Sequence, residues 1–270
     1  MTVRVVSILL AISLTTSSYA EPAPAGADPS IKPAASKPAK KEKSSAKGAG
    51  APSTAASAVS GPCVGVIPLI GDRFAVKKIG ITVFGNEYKE IPVPTWGFDD
   101  LVVERVRAAV GPAVTVRRVN FAPGAFDAYR PGFSFNANYD GHLAEALGKS
   151  GSQVKCDRYV VVIKANETYI GNQSIYGIGI VNSGRPIRSQ NNIHAAIRIQ
   201  VHDGHTYAML KGGAGSTNGN KLIFRGNVHA VDDTWFPEQP EGADTPAMRA
   251  AARSLLADVL DKSLPPLLTP

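Results

Sequence analysis

Two carboxylates stand just past apolar runs of β type. Asp72 follows "VGVIPLI" and Glu167 follows "RYVVVIK". In open α/β sheets, ligands bind beyond the carboxyl ends of the strands, so acid–base chemistry would be built at such positions. A pair formed by Asp72 and Glu167 would serve a small hydrolase. Two imidazoles, His202 and His205, flank Asp203-Gly204 in "VHDGH". Asp-Gly signals a two-residue hairpin, and reflection about it pairs Val201 with Thr206, Ile199 with Ala208 and Ile197 with Leu210. His202 and His205 then face each other across the ladder, about 5.5 Å apart at Cβ. Zinc needs further ligands. His194 lies about 27 Å along the strand, so the pair reads as exposed hairpin histidines and no metal is expected.

The stretch "FAPGAFDAYRPGFSFNANY" holds Phe121, Phe126, Tyr129, Phe133, Phe135 and Tyr139, with Arg130 among them. A loop this long in a compact domain is often functional. Together with "GDRF" and "ANETYIGN" it would bring Asp72, Arg73, Phe126, Tyr129, Arg130, Phe133, Phe135, Asn166 and Glu167 to one edge. The other reading is that the loop covers the core with its own rings. At "LIGDRF" the chain touches the pattern of exported GDSL esterases, which carry Gly-Asp-Ser. Arg73 stands where the nucleophilic Ser belongs, and "DDTW" and "VHDGH" do not supply the Asp-x-x-His pair. Asp72 then reads as a turn residue that caps backbone N–H groups.

The elements that must position these residues follow from periodicity. "VGVIPLI" is a continuous apolar run, the mark of a strand buried on both faces. "GDRFAVKK" reads as a turn and "IGITVFG" as the next strand. "TWGFDDLVVERVRAAVG" reads as a helix with Asp99 or Asp100 in its first turn and a stripe of Val102, Val103, Val106 and Val110, closed by Gly111-Pro112. "TVRRVNF" is a strand, "NYDGHLAEALGKSG" a short helix and "RYVVVIK" a strand. "SIYGIGIVN", "NIHAAIRIQVHD", "TYAMLKGG" and "LIFRGNVHAV" form a meander. In Ile193–Val201 the alternation predicts one buried face and one partly wet face carrying His194, Ala196, Arg198 and Gln200. A last helix starts near Thr245 with Pro246 at its first position. Met248, Ala252, Leu255, Leu256 and Val259 form its stripe, and Arg249, Arg253, Asp258 and Asp261 face out. The expected fold is α/β or α+β: a single domain on a mixed β-sheet, with early strand–helix alternation, a later antiparallel meander and a C-terminal helix.

The chain has two cysteines, Cys63 and Cys156, each just before an apolar run. If those runs are neighbouring parallel strands, their starts are level and a disulfide forms, as an oxidising compartment allows. The first residues carry Arg4, an apolar run from Val5 to Leu14 and the small-x-small site Ser18-Tyr19-Ala20. That is the order of a secretory signal peptide over 1–20, and the run is too short to span a membrane. No Cys lies near Ala20 for acylation. Residues 21–60 are mostly Pro, Ala, Ser, Gly and Lys and cannot bury enough apolar surface to fold. They read as a disordered linker, or as a cationic arm for anionic envelope polymers. Residues 61–270 are enough for one domain. The formal net charge of +7 divides between leader, linker and body, and leaves no nucleic-acid footprint. The expected place is periplasmic or secreted. The expected partner is an envelope protein or cell-wall component, with no membrane span after cleavage and no cofactor.

The early apolar strand, the amphipathic helix and the "YVVVI" strand, from Val64 to about Ala165, are similar in order to small exported α/β domains of bacterial envelope proteins. These are the CsgG-like family, the LpoB-type penicillin-binding-protein activators and the amino-terminal domain of TolB. The resemblance implies partner binding or assembly rather than catalysis. It carries over no functional residue, and this chain lacks the lipobox common in those families.

Overall fold

The computed structural model describes residues 62–80, 85–127, 139–151, 153–170, 173–184, 190–217 and 227–269. The expected signal peptide and linker lie outside them, as do most of "IGITVFG" and the start of "LIFRGNVHAV". The strands are β1 (Cys63–Leu69), β2 (Arg73–Ile79), β3 (Glu87–Pro92), β4 (Thr115–Arg118), β5 (Arg158–Lys164), β6 (Asn166–Ile170), β7 (Gln173–Ser183), β8 (Gln190–Asp203), β9 (Met209–Ala214) and β10 (Asn227–Val231). The helices are α1 (Phe98–Val110), α2 (Tyr139–Gly151) and α3 (Pro246–Leu268).

The fold is α/β on a mixed, curled sheet. The strand order is β3-β2-β7-β8-β5-β1-β4, with β9 and β10 also on β8 and β6 on β7. β8 is 14 residues long and serves as the spine. Its first half, to Ala196, pairs β7 and β10, and its second half pairs β5 and β9. All four of these ladders are antiparallel, whereas β1 is parallel to β5 and β4, and β2 is parallel to β7.

One face of the sheet is covered by α1 and α3. Val102 and Val106 of α1 and Leu256, Val259 and Leu260 of α3 pack on Val66, Val160, Ile180, Ile197 and Ile199. Gly97, in the left-handed region at φ 60°, opens α1, and Asp99 and Asp100 sit in its first turn, where the helix dipole favours acids. Thr245 caps α3 by accepting the Met248 N–H at 3.1 Å. Arg253 of α3 does not face out as expected; it donates to the backbone carbonyls of Trp96 and Gly97 and ties α3 to the start of α1.

The other face has two smaller cores. Leu143 and Leu147 of α2 cover Ile67, Tyr159 and Val161, while Tyr169 and Ile175 of the β6–β7 hairpin cover Ile79, Val181 and Ala196. The second of these covers lies over Ala196, and the expected wet face of β8 is mostly buried. His194, Ala196, Gln200 and His202 are all buried, and of that row Arg198 alone is exposed.

Two further expectations change. "RFAVKKI" is a strand and not a turn: Phe74, Ala75 and Val76 are buried between β3 and β7, and the adjacent Lys77 and Lys78 break the apolar pattern. The β8–β9 register also differs. The Asp203 carboxylate accepts from the N–H groups of His205 and Thr206 at 3.0 and 2.7 Å. Tyr207 takes φ 59°, so the loop is wider than two residues. His202 therefore opposes Met209, and Val201 opposes Lys211.

Cys63 and Cys156 are disulfide-bonded, as the expected level starts of the parallel strands β1 and β5 require. At a sequence separation of 93, the link removes about 4–5 kcal/mol of chain entropy from the unfolded state. Replacing both cysteines with serine lowers the midpoint of denaturant unfolding by a corresponding amount, measured against the oxidised chain by circular dichroism; an unchanged midpoint contradicts it.

Candidate functional site

The densest polar cluster lies where β5 ends beside the start of β2. Lys164 closes the apolar β5, and its ammonium donates to the Arg73 carbonyl and to Glu90 Oε1, both at 3.2 Å. Glu90, on β3, accepts from Arg73 Nε at 3.3 Å through its other oxygen. Tyr88, two residues earlier on the same face of β3, lies close enough to feel the Glu90 charge. The Lys164 ammonium lies 6.0 Å from the Tyr176 ring centroid. Burial lowers the Lys164 pKa, and Glu90 opposes that shift. Burial, then Glu90, raises Tyr88 above the ordinary phenol range.

β7 bends beside this cluster. Gly177 has φ +63°, and a Cβ there would sit 2.7 Å from Lys164 Cδ. Only glycine meets both conditions. Before the bend β7 pairs β6; beyond it β7 pairs β2 and β8. An open depression of about 390 Å³ nearby is lined by Lys77, Tyr88, Asn166, Ser174 and Tyr176. Lys77 opposes Tyr88 on the β2–β3 ladder, and Asn166 opposes Tyr176 on the β6–β7 ladder. The Lys77 ammonium donates to the Ser174 carbonyl, and burial lowers its pKa.

Three of the expected edge residues gather here. Asp72 is exposed in the β1–β2 turn and acts electrostatically on Lys164; Arg73 holds Glu90; Asn166 lines the depression. The expected capping role of Asp72 belongs to Asp99, whose Oδ1 accepts the N–H groups of Ile70 and Gly71 at 3.1 and 2.9 Å. Glu167 follows Asn166 directly on β6, a strand where a loop was expected, so it faces the opposite side. There burial pushes its pKa up to about 7, opposed by the nearby Asn227 backbone. Its Oε1 is buried without a partner among the described residues. Phe126 leaves the edge altogether: it is buried in the core under α2, its ring 4.9 Å from that of Phe121. Tyr129, Arg130, Phe133 and Phe135 lie outside the described residues.

His202 and His205 do not form a cross-strand pair. His202 is buried, with Nδ1 3.0 Å from the Tyr207 carbonyl, while His205 sits exposed in the turn. Among the described residues no three His, Cys, Asp or Glu side chains could hold a metal ion, and no helix is long and apolar enough to cross a membrane. His194 is buried with Nδ1 3.1 Å from the Gly177 carbonyl, and desolvation pushes its pKa down to about 4. It is therefore neutral at pH 7, with its proton on Nδ1.

Lys77, Tyr88, Glu90, Lys164 and Tyr176 went unread in the sequence. The available signal was lysine beside apolar residues, Lys77 and Lys78 in "RFAVKKI" and Lys164 at the end of "RYVVVIK". A lysine so placed is rarely buried unless paired.

No family model matches the chain, and no curated protein matches it. Among solved structures it is similar to a Xanthomonas campestris protein of family DUF330, at 9% identity and TM-score 0.37, covering 74% of this chain and 80% of the other. It is also similar to PelC from Paraburkholderia phytofirmans, solved as a dodecamer, at 11% identity and TM-score 0.30, covering 75% and 87%. A Neisseria meningitidis lipoprotein matches at 11% identity and TM-score 0.28, covering 75% and 99%. These likenesses carry no argument about what the present chain does.

Two outcomes test the cluster. Glu90→Ala leaves the buried Lys164 charge without its carboxylate and costs about 3 kcal/mol, whereas Lys164→Met costs little, both read by denaturant unfolding. Equal losses contradict that account. For Glu167 the fold favours the protonated form. Its contribution to stability is complete below about pH 4.5, the ordinary value, and is lost as pH rises to about 7. Glu167→Gln flattens that segment of the stability–pH curve; an unchanged slope contradicts it.

Proposed function

We propose that this chain is an exported, non-catalytic binding module of the bacterial cell envelope. The observation that carries the proposal is the Cys63–Cys156 disulfide, which joins the starts of two central strands. Such a bond persists in the periplasm and outside the cell and is rare in the cytosol. The signal-like order of residues 1–20 supports the same address. Binding is supported by the depression, which presents two tyrosine rings, a lysine and an amide beside an internally neutralised ion cluster. The partner is an envelope protein or a cell-wall component. The Pro/Ala/Lys-rich stretch 21–60 gives the domain reach.

A second reading, a small hydrolase using Asp72 and Glu167, draws on one observation: the Glu167 carboxyl titrates near neutrality. It requires a second acid–base group on the Asn227 side of β6. The groups that act on the Glu167 carboxyl are the Asn227 backbone and burial, and Asp72 is not one of them.

Cross-linking in intact cells, with affinity capture and mass spectrometry, tests the first reading. The wild type captures one specific envelope component, and Tyr88→Ala/Tyr176→Ala loses it while remaining exported and folded. Capture unaffected by the double substitution removes the depression from the reading, and finding the chain in the cytosol removes the reading itself.

A further inference from the structure

β3 is an edge of the sheet: among the described residues it pairs β2 on one side and no strand on the other. The phase of its ladder decides which backbone groups are left over. The Val93 N–H donates to the Asp72 carbonyl at 2.6 Å, one step beyond the Arg73–Pro92 pair. Antiparallel pairs alternate between bonded and non-bonded. Ile91, Lys89 and Glu87 therefore turn their backbone groups to β2, and Tyr88 and Glu90 turn theirs outward. Pro92 falls in the outward set, where its missing N–H costs the ladder nothing. An outward row of N–H and C=O groups is a template for another strand. Tyr88 stands on that row and is 52% exposed.

Edges are commonly guarded by charge, and β3 carries Glu87 and Lys89. Here the charges select a partner. They flank Tyr88, one of each sign, on the face opposite its ring. Lay two copies of β3 antiparallel with Tyr88 against Tyr88. The two tyrosines exchange both backbone hydrogen bonds, and each Glu87 stands against Lys89 of the other copy. Those flanking positions are non-hydrogen-bonded pairs, where side chains come closest and opposite charges stabilise. Within one chain Lys78 already reaches Glu87 at 3.7 Å, and Lys89 reaches Glu241. Pairing joins these into two rows of alternating sign: Lys78 and Glu87, then Lys89 and Glu241 of the second copy. Other registers fail. Centring the pair on Lys89 or on Glu87 opposes like charges, and centring it on Glu90 sets Tyr88 against Pro92, which has no N–H to give. β4, at the far end of the strand order, is four residues long, with adjacent Arg117 and Arg118 and no acid.

We propose that the chain forms a two-fold dimer through β3, in which Tyr88 meets Tyr88 and Glu87 meets Lys89 in both directions. The sheet then runs unbroken from one copy into the next. The two depressions, each lined by its Tyr88, stand side by side across the axis. This goes beyond the binding-module reading and does not depend on it.

Sedimentation of the purified chain, with its disulfide intact, tests the dimer over a concentration series. The wild type shows a monomer–dimer equilibrium. Glu87→Lys and Lys89→Glu each weaken the dimer roughly tenfold, since either one turns two attractions into two repulsions. Mixing the two variants in equal amounts restores dimers, because every facing pair is again of opposite sign. A merely structural defect is not repaired by mixing. Tyr88→Pro removes an outward N–H, keeps the bonds to β2 and abolishes the dimer, with circular dichroism checking that it is folded. If that variant does not fold, the charge exchange still decides. A monomer at every concentration overturns the inference. So does a dimer that the single charge variants leave unchanged, or one that mixing fails to restore. Glu87 and Lys89 do not line the depression, so these variants separate the copies without altering its lining. Failure here is thereby distinguishable from failure of the module reading.

Discussion

Everything in this fold is registered against β8. A strand of 14 residues is longer than any one neighbour needs, and its two halves serve different neighbours. The first half holds β7 and β10, and the second holds β5 and β9. A slip of one residue would move Ile193, Ala195, Ile197, Ile199 and Val201 off the α1–α3 core all at once. It would also carry His194, Gln200 and His202 onto that apolar side. Both faces are therefore committed, and the register cannot drift. The disulfide lies at one end of this arrangement, and the polar depression borders the other half.

The charged cluster near Lys164 follows from how β5 ends. β5 is buried along its length, and its last residue is a lysine whose side chain is 9% exposed. Burying that charge is tolerable only with a partner. β3 supplies Glu90, and Arg73 completes the set. The ion cluster thereby locks β2 and β3 to the end of β5, although β5 pairs with neither. With those charges settled internally, the character of the adjacent depression falls to Lys77 and the two tyrosines.

The parts of the fold legible in the sequence were those with one clear period. β5, α1 and the Thr245–Pro246 start of α3 were read nearly to the residue, and the level starts of β1 and β5 made the disulfide readable. β2 was missed because Lys77 and Lys78 interrupt its apolar pattern, one lining a depression and the other reaching Glu87. β8 looked half wet because histidine, glutamine and arginine alternate with its aliphatic residues. A second cover, from the β6–β7 hairpin over Ala196, is something no local pattern reveals. The hairpin register failed at Asp203, whose carboxylate organises a wider loop than Asp-Gly alone implies. At the site, Asp72, Arg73 and Asn166 were placed on the right edge by strand ends. Phe126 was lost to the core, and Glu167 was turned away by the pleat of a strand that had been read as a loop.

The left-handed residue in β7 has a consequence for the depression itself. One wall belongs to the β2–β3 ladder and the other to the β6–β7 ladder, and Gly177 directly follows Tyr176 of the second. The backbone there takes a torsion that residues with side chains rarely adopt, and a Cβ would press on the Lys164 stem. Substitutions around the rim change what is gripped, while a substitution at Gly177 disturbs the backbone behind it. Chemistry and backbone course are thus carried by different residues.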